Sequence, residues 1–248
     1  MKQVIGIFFI SIVLISGIVS CKKDQVTQPD MGYNYFPNQV GRYVIYDVDS
    51  IFYPNSITAD TFKFQLKEKI ESVYPDNQNR PTLRLERYVK YYNPAVPYSA
   101  MNWTLRNVWA ENRTPTTAEK VEENYRYIKL NFPVKKSKSW NGNAQNSDPE
   151  IDYHYSFVDL SKTIATITFD STLEVEQQNH LDLISQQYCV EQYAKNVGLV
   201  YKKVILVQSQ PVPTWTPAQL AAFYAMPILS RVTSGVQYDW TVNSFGTE

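Results

Sequence analysis

The sequence predicts a mainly β protein built on an antiparallel sheet, with one helix in its C-terminal part. Three observations carry this. Apolar and polar residues alternate with a two-residue period in one segment after another. Asn, Pro and Gly turn signals separate those segments at spacings too short for βαβ crossovers. Aromatic residues make up 14% of the chain, with 19 tyrosines against only 8 glycines, a composition suited to pleated, half-buried surfaces.

The elements follow in order. From Arg42 to Val48, Tyr43 and Ile45 share one face and Val44, Tyr46 and Val48 the other. Phe62, Phe64, Leu66, Glu68 and Ile70 alternate with Lys63, Gln65, Lys67 and Lys69, which predicts a strand with one wet face. Leu83, Leu85, Arg87, Val89 and Tyr91 repeat the pattern, and Trp103, Leu105 and Asn107 continue it. Further strands are predicted over Val121 to Leu130, Tyr153 to Phe157, Thr163 to Phe169, Thr172 to Gln177, Gln187 to Tyr193, Leu199 to Val207 and Val236 to Val242. Turns are expected at Tyr53-Pro54-Asn55-Ser56, Pro75-Asp76-Asn77, Asn93-Pro94 and Asn141-Gly142-Asn143. The clearest hairpin turn is Lys195-Asn196-Val197-Gly198, because Asn196 and Gly198 both tolerate positive φ.

Thr216-Pro217-Ala218-Gln219 reads as a capping box with proline at the first helical position, and Pro227 ends the helix. Its run through Leu220, Phe223, Tyr224 and Met226 is apolar, so it is expected to pack on the sheet or close one of its mouths. A second short helix is expected near His180 to Gln186. Tyr35-Phe36-Pro37 and Asn131-Phe132-Pro133 echo one another, which fits either two sheet halves that begin alike or chance.

The N-terminus carries an address. Lys2 precedes an apolar run from Val4 to Val19, and Ile18-Val19-Ser20-Cys21 resembles the lipobox of bacterial lipoproteins. A transmembrane helix needs about 20 apolar residues. This run is shorter, contains Gly6 and Gly17 and ends in small residues, as a secretory leader does. An ordinary cleaved signal peptide would leave the position of Cys21 to coincidence. The lipobox implies cleavage before Cys21 and its acylation. Residues 21–30 are polar apart from Val26 and read as a tether. Residues 31–248 then form a single β-rich domain.

Tyr35-Phe36-Pro37-Asn38-Gln39-Val40-Gly41, followed by an aromatic strand, resembles the opening of uncharacterised Bacteroidota envelope lipoproteins. Tyr193-Ala194-Lys195-Asn196-Val197-Gly198-Leu199-Val200 is similar to a hairpin of envelope proteins with curved sheets, and Asn131-Phe132-Pro133 to Asn143 fits the same group. The resemblance implies a curved antiparallel sheet or half-barrel of the lipoprotein-carrier or lipocalin-like kind. It implies an outer-membrane lipoprotein on the periplasmic or cell-surface side. It brings no catalytic residue with it.

Chemistry-bearing patterns are sparse. The chain balances 24 basic against 24 acidic residues without basic blocks, which argues against a nucleic-acid partner. Glu150, Asp152 and His154 would share a strand face, about 6.6 Å apart in succession, and are weak metal-ligand candidates. The competing reading is a solvated face opposite Ile151, Tyr153 and Tyr155. With Cys21 acylated, Cys189 has no intramolecular partner and reads as a small buried residue. Asp49-Ser50-Ile51 and Asp170-Ser171-Thr172 resemble a short O-glycosylation signal of this bacterial group, placing candidate sites at Ser50 and Ser171. No nucleophile motif, phosphate loop or Cys-x-x-Cys occurs, and no cofactor is expected.

The expectation is therefore a membrane-anchored, non-enzymatic binding or scaffold domain whose partner is an envelope protein, a lipid or a glycan. Its alternatives are a carrier of an apolar ligand or lipid in a half-barrel cavity, and a carbohydrate-active enzyme using a carboxylate pair. The many bulky side chains favour a solid scaffold over a cavity.

Overall fold

The computed structural model describes residues 30–54 and 58–248. Twelve strands succeed one another: β1 Arg42–Tyr53, β2 Asp60–Pro75, β3 Pro81–Tyr91, β4 Thr104–Arg113, β5 Thr117–Glu122, β6 Tyr125–Asn131, β7 Ser139–Asn141, β8 Asp152–Ile164, β9 Ile167–Leu181, β10 Ser185–Ala194, β11 Gly198–Gln208 and β12 Ser234–Thr247. In space they form one antiparallel sheet ordered β6-β5-β4-β3-β2-β1-β12-β11-β10-β9-β8-β7. The first and last strands pair along their length, from Arg42↔Thr247 to Tyr53↔Gly235.

The sheet curls until its two edges, β6 and β7, meet. No ladder joins them. Instead the Ile128 N–H donates to the Gly142 carbonyl at 2.9 Å, and Trp140 Nε1 donates to the Ile128 carbonyl at 2.9 Å. The Tyr155 hydroxyl accepts from the Asn131 N–H and donates to the Asn131 carbonyl, at 2.9 and 3.0 Å. The result is a nearly closed barrel with one seam. Gly142 is required there, because a Cβ would lie 2.4 Å from the Tyr153 ring.

Alternation sets the interior. Tyr46 pairs with Leu66 and with Val242, and Leu66 pairs with Val89, so each apolar stripe meets the next across the ladder. Tyr46, Leu66, Val200 and Val242 are each within 1% of full burial. Burying such side chains stabilises the fold by roughly 1.5–3 kcal/mol each.

The two ends of the barrel differ. Connections alternate between them, and the chain enters β1 and leaves β12 at the same end. That end is plugged. A single 3-10 turn, Tyr33–Tyr35, lays Tyr35 and Phe36 into the core at 1% and 5% exposure. The Tyr35 hydroxyl donates to Asp159 Oδ1 at 2.7 Å, and the Asn196 N–H donates to the Asn34 carbonyl at 2.8 Å. Arg113 Nη1 donates to the carbonyls of Tyr33 and Phe36. The opposite end is open.

The mainly β, curved-sheet expectation holds, as does the hairpin at 195–198. Tyr193 pairs with Leu199, and Asn196 and Gly198 take φ of 63° and 98°. Four readings are corrected. Val121 to Leu130 is not one strand but the β5–β6 hairpin, which turns at Glu123 and Asn124 with positive φ. Thr163 to Phe169 likewise spans a turn, at Ala165. His180 to Gln186 is no helix: it ends β9, turns at residues 182–184 and begins β10, and Asp182 Oδ1 accepts the N–H groups of Ile184 and Ser185.

The fourth concerns the predicted helix, α1 Pro217–Ala225. It forms with its full capping box, but it neither packs along the sheet nor covers the mouth. Phe223 alone is buried, against Trp215 and beneath the Arg231 guanidinium, 4.7 Å from its ring centre. Among the described residues no helix is long and apolar enough to cross a membrane.

Candidate functional site

Charged residues stand where the inward alternation calls for apolar ones. Glu68 continues the stripe Phe64-Leu66 on β2, and Arg87 faces it from β3. Glu111 and Lys120 oppose one another on β4 and β5, and Glu191 opposes Lys202 on β10 and β11. Glu122 and Lys129, from the β5–β6 hairpin, complete a layer of four acids and four bases across the barrel.

The layer is fully paired. Glu68 binds Arg87 Nε at 2.9 Å and Lys120 Nζ at 2.8 Å, and Lys120 reaches Glu111 at 3.3 Å. Lys129 lies 2.8 Å from Glu122 and 3.0 Å from Glu191, and Lys202 lies 3.1 Å from Glu191. Tyr193 donates its hydroxyl to the second oxygen of Glu191 at 2.7 Å. Trp109 stacks under Arg87, 3.4 Å from its ring centre, and Trp240 flanks Lys202 at 5.3 Å. Buried charges of this kind are tolerated only when each finds such partners.

The fields are strong enough to move protonation. Burial alone would raise the Glu122 carboxyl, but Lys129, Lys202 and Lys120 hold it down at about 2. Burial likewise opposes ionisation of Glu68 and Glu191, and their lysine and arginine neighbours outweigh it, so both sit below the ordinary range. Glu111 goes the other way: burial dominates and raises it. Lys129 and Lys202 are raised by Glu122 and Glu191 against the effect of burial.

Above this layer, on the open side, lies a cavity of about 770 Å³. Trp109, Glu122, Lys129, Lys202 and Trp240 form its floor, and the same five residues roof a void of about 60 Å³ that extends to Phe36 and Pro37. The cavity has two unlike walls. Val48, Phe62, Phe64, Val204, Leu206 and Val236, from β1, β2, β11 and β12, make one side mostly apolar, with the exposed Arg106 lying 5.6 Å from the Phe64 ring centre. Glu123, Asn143, Asp148, Gln177 and Gln178 make the other polar. Gln177 is 9% exposed, and its Nε2 has no hydrogen-bond partner among the described residues. Tyr91 and Tyr125 stand at the entrance, more than 40% exposed. No residue of α1 lines the cavity, so the reading of a solid scaffold filled by bulky side chains is overturned.

The residues singled out in the sequence fall elsewhere. Cys21 lies outside the described residues. Asp152 and His154 lie on β8, where His154 Nε2 comes within 3.9 Å of Glu176, and Glu150 precedes the strand. No three metal-ligating side chains converge among the described residues. Ser50 lines the cavity, and the Ser171 hydroxyl donates to Asp159 Oδ1 at 2.6 Å. Cys189 is buried in the cavity wall, and burial pushes its thiol up to about 11. For a carboxylate-pair hydrolase, Glu122 is engaged by Lys129, and Glu123 accepts from Asn107 Nδ2 and Trp109 Nε1. Neither stands free as acid or base.

No family model matches the chain, and no curated protein does either. Among solved structures it is similar to an exported protein of Bacteroides fragilis with a YmcC-like fold. Identity is 9% and the TM-score 0.41, over 86% of this chain and 98% of that one. An outer membrane lipoprotein-sorting protein domain from Vibrio parahaemolyticus matches at 11% identity and a TM-score of 0.20, over 84% and 86%.

Proposed function

We propose that the protein is an envelope lipoprotein, anchored through Cys21, whose barrel is a non-enzymatic binding chamber for a small amphipathic molecule. The observation that carries this is the cavity of about 770 Å³, open at one end and walled by an apolar side facing a polar one. Its size lies within the range of about 300–1,000 Å³ typical of small-molecule sites. An alkyl or aromatic portion fits against Phe62, Phe64, Val204 and Val236, and a polar portion against Gln177, Gln178 and Asn143. The floor is self-neutralised, which favours an uncharged or zwitterionic polar group: an ion reaching it would have to displace an existing pair.

Native mass spectrometry of residues 21–248 carrying Cys21→Ser tests the chamber. The expected result is a co-purifying adduct, or saturable uptake of an environment-sensitive alkyl fluorophore, that Val204→Trp abolishes while the fold persists by circular dichroism. Equal uptake by the Val204→Trp protein would place any binding outside the lumen. The anchor is tested separately: Cys21→Ser in the native host should release the protein from the membrane fraction.

A further inference from the structure

The two ends of the barrel carry opposite charge. Connections at the plugged end bear Arg80, Lys135, Lys136, Lys138 and Lys195. The acids at that end are Asp30, Asp76, Asp159 and Glu248, and each is already paired inside the protein, Asp159 with Lys195 at 2.7 Å. Asp30 meets Lys195, Asp76 meets Arg80, and Glu248 lies between Lys67 and Lys69. Connections at the mouth bear Glu123, Asp148, Glu150 and Asp182 against the single base Arg231, and Arg106 near the mouth end of β4 adds one exposed base. Arg231 is turned inward, donating to the carbonyls of Met226 and Leu183. On the hairpin flanking the plugged end, Lys162 and Asp170 cancel.

The basic patch lies where the tether emerges. The Met31 carbonyl accepts the Val134 N–H, so the N-terminal segment runs directly beside the loop Lys135–Lys138. Lys138 turns in to bond the carbonyls of Asn131, Phe132 and Pro133, which leaves Lys135 and Lys136 exposed and projecting. Lys22 and Lys23 follow Cys21 in the sequence.

We infer that the plugged end, through Lys135 and Lys136, is a docking surface for the anionic lipid headgroups of the membrane that holds Cys21, so that the mouth faces away from it. Each lysine near an anionic leaflet contributes attraction that fades within a Debye length, and the acidic mouth is repelled by the same surface. Nine residues from Cys21 to Asp30 reach at most about 30 Å, and most strands, at 10–16 residues tilted about 40°, give a barrel roughly 25–40 Å tall. A mouth-down molecule would therefore have to draw its tether out almost fully, whereas a plug-down one leaves it slack. The chamber is then filled from the aqueous side, and its ligand does not slide in from the anchoring leaflet.

The inference uses the proposed anchor, so the test supplies the anchor chemically. Residues 21–248 are coupled through the Cys21 thiol to a maleimide lipid in vesicles of phosphatidylethanolamine and phosphatidylglycerol. Cys189, being buried, is spared. A photocrosslinking residue, p-benzoylphenylalanine, is placed at Thr116 on the plugged end or at Met226 on the mouth. Lipid adducts from position 116 are expected to exceed those from 226 by about tenfold. Lys135→Glu with Lys136→Glu, or vesicles of phosphatidylcholine alone, should remove most of that excess. Equal adducts, or more from the mouth, would overturn the orientation. A strong preference untouched by charge reversal and by lipid composition would overturn the lysine contact. Neither result depends on whether the lumen binds anything.

Discussion

Glu191 shows at the scale of one residue how the charged layer is held. It is 1% exposed, with Lys129 and Lys202 on one oxygen and Tyr193 on the other. Glu191→Gln keeps the shape and removes the charge, leaving two ammonium groups short of a partner. The expected cost is about 3–5 kcal/mol in urea unfolding, and a loss under about 1 kcal/mol would mean that water already solvates the pair. The layer also sets a pH dependence. Glu68, Glu122 and Glu191 have depressed values in the folded state. Their stabilisation is therefore fully present above the ordinary carboxylate range and is lost as pH falls through the folded values, near 2 for Glu122. Glu111 is raised, so its ionisation costs stability and its protonation relieves that cost as pH falls. Three against one, the urea midpoint should drop between about pH 5 and pH 2. A flat or rising midpoint would contradict the paired layer.

Among the elements, the seam is the weakest join. One backbone hydrogen bond and a few from Trp140 and Tyr155 replace a whole ladder between β6 and β7. Gly142→Val would drive a side chain into the Tyr153 ring and part these strands. Amide exchange at Ile128 should then accelerate by an order of magnitude or more, while Tyr46 and Leu66 on the far wall keep their protection. At the opposite hairpin, Gly198→Val should cost on the order of 1 kcal/mol or more, because φ there is 98°. Long strands with strict alternation were legible in the sequence, as were this hairpin and the capped helix. The β5–β6 turn was not, because Glu123 and Asn124 sit in an otherwise continuous alternating run and turn without glycine or proline. The three-residue β7 is too short for periodicity to register. Phe36-Pro37 and Phe132-Pro133 do introduce β1 and β7, the first strands of two six-strand halves, and both phenylalanines are buried in one cluster. The charged layer left a signal: Glu68 and Arg87 stand in stripes that are otherwise apolar. What no single strand could reveal is that these stripes converge from seven strands onto one layer, since that depends on how far the sheet curls.

For the molecule as a whole, cavity and plug follow from one asymmetry: the chain enters β1 and leaves β12 at the same end of the barrel. The residues ahead of β1 fold back as a stopper, and among the described residues no segment fills the other end in the same way. Filling the lumen with Val204→Trp should therefore leave thermal stability within a few degrees while blocking uptake, whereas Phe36→Ala, on the plugged side, should cost about 3–5 kcal/mol. A large loss from the first change would show that the cavity wall is part of the packed core. The β1–β12 ladder carries a consequence for biosynthesis. Every other ladder joins strands close in the sequence and can form as the chain emerges, but this one pairs the first strand with the last. Until Ser234–Thr247 has joined β1, that strand presents a long bare edge, and the curled sheet is a ribbon with no inside. The barrel thus closes only with its last strand. A chain truncated before Ser234 should be found in aggregates or proteolysed rather than as a smaller barrel.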